Sequence, residues 1–124
     1  MNDENAAKLR DLAERTKRFA LRVVAMYSTL PKSTEAQVMG KQVLRSGTSV
    51  GANYREANRA RSKAEFIAKL GDSLKELDET AYWLELLVES GIVPAPKRAS
   101  LQDECNQLLA IFTTVSKNAK RKIS

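Results

Sequence analysis

Histidine is missing from the 124 residues, and cysteine occurs once, as Cys105. The first absence removes the commonest general base and transition-metal ligand. The second excludes an intrachain disulfide and a thiolate zinc site. Glycine and proline are scarce, at five and three, and aromatic residues make up 6%. Such a composition argues against disorder and suits a helix-rich globular chain. No stretch approaches the roughly 20 apolar residues of a membrane-spanning helix, and "MNDENAAKLRDL" lacks the apolar segment of a secretion signal. A cytoplasmic location is therefore expected, with neither cofactor nor metal.

What is present is charge, and more of one sign. Lys and Arg number 21 against 15 Asp and Glu, a net charge of +6. This balance favours an acidic partner, nucleic acid ahead of an anionic surface. The length predicts one domain, residues 1–124, able to bury its own core.

Apolar residues recur at spacings of three and four in four stretches. Leu9, Leu12, Thr16, Phe19, Val23, Tyr27 (or Met26) and Leu30 predict a helix over 5–30, ended by Pro31. In "STEAQ", Thr34 can cap a second helix over 34–60, with Gln37 completing a capping box. Ser62 and Glu65 form a clearer capping box before a third helix over 63–90. Phe66, Leu70, Leu74 (or Ser73), Leu77, Ala81, Leu84 and Val88 are its stripe. Gly91 suits the left-handed position after it, and Pro94 and Pro96 block continuation. Leu101, Cys105, Leu108, Phe112, Val115 and Ala119 predict a fourth helix over 96–121, and "NAKRKIS" reads as a basic tail. Long helices joined by short loops imply an all-α, antiparallel, up-down-up-down four-helix bundle.

The stretch "RSGTSVGANYREANRARSKAEF" carries two glycines among arginines. A phosphate-binding loop is excluded, because neither the Walker nor the dinucleotide pattern is present and no strand precedes it. At 100° per residue the segment 39–60 sorts into clean arcs. Met39, Val43, Val50, Tyr54 and Ala57 form the core stripe. Gly40, Leu44, Gly47 and Gly51 lie on one flank, and Gln42, Ser46, Ser49, Asn53, Glu56 and Ala60 on the other. Lys41, Arg45, Thr48, Ala52, Arg55 and Arg59 face outward.

Each glycine inside a helix costs about 1 kcal/mol relative to alanine, so Gly47 and Gly51 imply close approach of a neighbouring helix. Ser49, Asn53 and Glu56 read as packing or oligomer contacts that fix register. A catalytic reading of Ser46, Asn53 and Glu56 is weaker, because no histidine is available to activate a nucleophile. Arg45, Arg55, Arg59, Arg61 and Lys63 are the candidate nucleic-acid-binding residues. The third helix is acidic, with Asp72, Glu76, Asp78, Glu79, Glu85 and Glu89 against Lys75, so charge is segregated. Trp83 sits among more apolar surface than one neighbour would cover, which suggests an oligomer contact. Cys105 reads as a small core residue.

The stretch from Arg45 to Thr80 resembles the bundle proteins encoded by intervening sequences in bacterial 23S ribosomal RNA genes. The resemblance rests on Arg45, Ser46, Ser49, Val50, Ala52, Asn53 and Glu56. It continues through Arg59 (or Arg61), Ser62, Glu65, Phe66, Leu70, Gly71, Ser73, Glu76 and Leu77. Gly51 and Asn58 depart from the family pattern. The resemblance implies a ring-shaped homo-oligomer, a homopentamer, with no enzymatic activity. It also implies kinship with the accessory bundle proteins of diversity-generating retroelements. The expected function is thus a non-enzymatic oligomeric bundle that binds nucleic acid, structured RNA above all, with no membrane partner. The alternative is a protein-interaction scaffold that binds no nucleic acid.

Overall fold

A computed structural model of the chain describes residues 3–121. Four helices account for nearly all of them: α1 (Asp3–Ser28), α2 (Thr34–Asn58), α3 (Lys63–Glu89) and α4 (Ala95–Arg121), with no strand among the described residues. Two expectations, the Leu9 side chain and the end of the basic tail at 122–124, lie outside the described residues.

The cores of the helices follow a seven-residue step. Leu12 and Phe19, Val43, Val50 and Ala57, Leu70, Leu77 and Leu84, and Leu101 and Leu108 are all buried in one cluster. Tyr54 of α2 and Phe112 of α4 meet edge to face inside it, with ring centroids 5.4 Å apart. Such a pair adds about 0.5–1.5 kcal/mol beyond its area.

Direction follows from the contacts. Gly47 faces Val23 and Gly51 faces Thr16 across α1 and α2. Between α2 and α3, Ser46 meets Thr80 and Val50 meets Ser73. Between α1 and α4, Arg15 meets Glu104 and Arg22 meets Ser100. In each pair one number rises as the other falls, so neighbouring helices run antiparallel, as in a four-helix bundle.

The helix ends show where local chemistry differs from expectation. Ser33, not Thr34, caps α2: its Oγ accepts from the Ala36 N–H at 3.4 Å, and Thr34 is the first helical residue. The Gln37 side chain is spent on the preceding loop instead of a capping box. Its Nε2 donates to the Pro31 carbonyl at 2.8 Å, and its Oε1 accepts from the Tyr27 hydroxyl at 3.1 Å. Helices α1 and α2 stop two residues short of positions 30 and 60. Thr29, Leu30, Arg59 and Ala60 bond three residues back, the tightened turn that finishes many helices.

After α3, Gly91 takes φ +78. Its N–H donates to the Val88 carbonyl at 3.0 Å, and the Ile92 N–H donates to the Leu87 carbonyl at 3.1 Å. That pair of bonds is the Schellman ending that glycine permits.

Contact is uneven around the four helices, closest between α2 and α3 and sparsest between α1 and α4. The sparse seam is clasped by side chains. Arg15 donates to both carboxylate oxygens of Glu104, at 2.9 and 2.7 Å, and to Gln107 Oε1 at 2.7 Å. Hydrogen bonding from Arg15 lowers the pKa of Glu104 below the usual carboxylate value, against the upward pull of burial.

Candidate nucleic-acid interface

Helix α2 carries its apolar residues toward the core, and this orientation sends Lys41, Ala52, Arg55 and Arg59 outward. Arg55 and Arg59 are four residues apart, about 6 Å along a helix, and so project from the same side. Arg59 ends the helix, and the chain turns through Arg61 and Ser62 into α3. The turn is fixed by its cap. Ser62 Oγ accepts from the Glu65 N–H at 3.1 Å. The Glu65 carboxylate accepts from the Arg61 N–H at 3.0 Å, one residue before the cap. Arg61 and Lys63 are thereby held at the same end of α2 as Arg59, all four cations exposed.

The outward face borders a cleft of about 370 Å³ between α1 and α2, lined in part by Lys17, Arg55, Glu56 and Arg59. The remaining lining side chains are no larger than threonine. Lys17, Arg55 and Arg59 make no ion pair among the described residues. Glu56 is held at 2.7 Å by Lys69 of α3.

Arg45 is placed differently. It reaches across to α3, where it pairs with Glu76 at 3.1 Å and with Glu79. Its charge is met by two carboxylates, so the structure separates it from the Arg55–Lys63 group. Lys17 belongs beside that group and was not apparent in the sequence reading. The signal was the Ala13, Lys17, Ala20 spacing, which repeats on α1 the small residues flanking the α2 stripe.

The packing residues divide similarly. Built as alanine, Gly47 would place its Cβ 2.9 Å from Val23 Cγ2, and Gly51 would place its Cβ 3.1 Å from Thr16 Oγ1. Both glycines therefore lie where α1 comes close. On the opposite flank, Ser46 is fully buried and accepts from Thr80 Oγ1 at 2.8 Å while donating to the Gln42 carbonyl at 2.8 Å. Ser73 Oγ donates to the Val50 carbonyl at 3.0 Å, a second bond between α2 and α3.

Ser49 instead bonds within its own helix, to the Arg45 carbonyl at 2.7 Å. Asn53 is half-buried on the same flank, and Glu56 reaches α3 through Lys69. Trp83 is half-buried against the core, with the exposed Tyr82 ring edge-on to it at 5.2 Å.

Ser46 has its hydroxyl committed, and the Cys105 thiol is buried with its pKa pushed up to about 12 by desolvation. Among the described residues no cluster of three or more His, Cys, Asp or Glu could hold a metal ion. Nor is any described helix long and apolar enough to cross a membrane.

Comparison with known proteins places this geometry. None of the curated proteins matches the chain. A crystal structure of a protein of unknown function from the S23 ribosomal protein family of Bacteroides thetaiotaomicron is similar. It has 39% sequence identity and a TM-score of 0.83, covering 89% of this chain and 98% of that one. The family model of the 23S rRNA-intervening sequence protein matches residues 10–114. With the four helices, the small-residue flanks and this match spanning most of its length, the chain belongs to the 23S rRNA-intervening sequence protein family.

Proposed function

We propose that the protein is a non-enzymatic, oligomeric four-helix bundle of the cytoplasm that binds structured RNA through phosphate contacts. The observation that carries this reading is the group Arg55, Arg59, Arg61 and Lys63, exposed together at one end of α2 while α3 neutralises Arg45. The acidic helix could have cancelled the whole basic face, but it cancels only one arginine of it. Arg45 accordingly contributes least to binding and most to the pairing of α2 with α3. RNA is favoured over other polyanions because the family takes its name from ribosomal RNA genes.

The assembly proposed is a ring of identical subunits, five in number from the family resemblance. Leu21, Val24, Val38 and Tyr82 are apolar yet 42–59% exposed, and they occupy outer faces that subunit contacts would cover. The same exposed residues favour the second reading, a scaffold whose apolar surface binds another protein and whose charge serves subunit pairing. The kinship with the retroelement accessory bundle proteins that the resemblance implies is compatible with either.

Salt separates the two readings. Phosphate contacts release counterions, so log affinity falls linearly with log salt, more steeply the more phosphates are neutralised. Fluorescence anisotropy with a folded ribosomal RNA fragment should show that slope and little sequence preference. No binding at low salt would leave the scaffold reading in place.

A further inference from the structure

The cleft between α1 and α2 differs from three other hollows of the surface. The hollow between α3 and α4 is lined by Glu85 and no cation. Of the two along the α1–α4 seam, one has Arg22, which donates to Ser100 at 2.7 Å, and the other mixes Asp11 with Lys8 and Arg15. Only the α1–α2 cleft, among these, has cations on both banks, Lys17 from α1 and Arg55 and Arg59 from α2. Its single carboxylate, Glu56, is engaged by Lys69.

Resting on the RNA-binding reading, we propose that this cleft receives one phosphate strand of a double-helical RNA, with Lys17 as a further binding residue opposite Arg55 and Arg59. Three features select that occupant. No aromatic side chain lines the cleft, so unpaired bases find no stacking platform, the usual basis of single-strand binding. Double-stranded RNA is held instead through its backbone and shape. The small side chains beneath the cations let a strand approach the helices closely, where the charges of both banks act on the same phosphates. The about 6 Å helical step from Arg55 to Arg59 follows the run of successive phosphates along that strand.

Steric and charge variants separate this proposal from general attraction to the basic face. Ala52 lies on the cleft and is exposed, so Ala52→Trp fills the space without altering charge or core. Lys17→Ala removes the α1 bank. Lys41→Ala serves as the control, an exposed cation of α2 outside the cleft lining.

The probes are an RNA hairpin stem and an unpaired RNA of equal length, compared at one salt concentration, with circular dichroism confirming the helices of each variant. The hairpin should bind about tenfold more tightly than the unpaired strand, a difference well within the range of a few contacts. Ala52→Trp and Lys17→Ala should each weaken hairpin binding by about tenfold, and Lys41→Ala should leave it close to the original protein. If Ala52→Trp and Lys17→Ala bind the hairpin normally while Arg55→Glu with Arg59→Glu does not, the cleft is overturned and the basic face stands. Equal or tighter binding of the unpaired strand overturns the duplex assignment. Failure of the unaltered protein to bind either RNA overturns both.

Discussion

Gly47 lies so close to Val23 that a Cβ added to it would sit 2.9 Å from the valine Cγ2. Gly71, on the outer side of α3, has nothing within 4 Å of the same position. The two glycines should therefore respond oppositely to alanine. At Gly47, overpacking of about 1–3 kcal/mol outweighs the roughly 1 kcal/mol gained in helix propensity, and stability falls. At Gly71 the propensity gain of up to about 1 kcal/mol stands alone, and stability rises. Urea denaturation of the two variants checks this. A stabilised Gly47→Ala protein would mean that α1 is free to move away.

Acid should weaken the clasp between α1 and α4. Arg15 holds the folded-state pKa of Glu104 below its ordinary value of 4.5. A depressed carboxylate pKa contributes stability that is present above the unfolded value and is lost as pH falls through the folded one. Glu104→Gln should thus be less stable than the original protein at neutral pH. The gap should narrow as pH drops below 4.5. An unchanged gap across that window would show that the ion pair contributes nothing to the seam.

Cys105 offers a probe of opening. Its thiol is fully buried, is pushed up to about 12, and lies 3.6 Å from the Leu77 carbonyl. Because the thiolate is the reactive form, a thiol reagent at neutral pH should label the native protein only when α3 and α4 separate. Labelling should accelerate with urea in step with loss of helix. Rapid labelling in native buffer would contradict the packing described.

These relationships also mark how far the sequence could be read. Periodic positions such as Leu70, Leu77 and Leu84 announce a buried stripe because a helix returns them to one face. Gly91 announces a left-handed ending because few other residues accept that backbone. The capping of α2 was less legible: Ser33 and Thr34 are both good caps, and the choice falls to the loop that Gln37 ties to Pro31.

Pairing between helices was hidden for a different reason. The periodicity of α2 places Arg45 on an outward arc, but a long side chain there can still reach Glu76 and Glu79 on the adjacent helix. Lys17 was missed because its partners in the cleft, Arg55 and Arg59, come from another helix. Faces are written within a helix, whereas clefts are made by two.

The central claim is that Arg55 and Arg59 bind RNA and do not hold the subunits together. Sedimentation velocity of the original protein and of the Arg55→Glu, Arg59→Glu variant, each with and without structured ribosomal RNA, tests it most directly. The account predicts that both proteins sediment as the same oligomer and that RNA shifts the original protein alone. An RNA shift undiminished in the variant would contradict it, as would a variant that falls apart into single subunits.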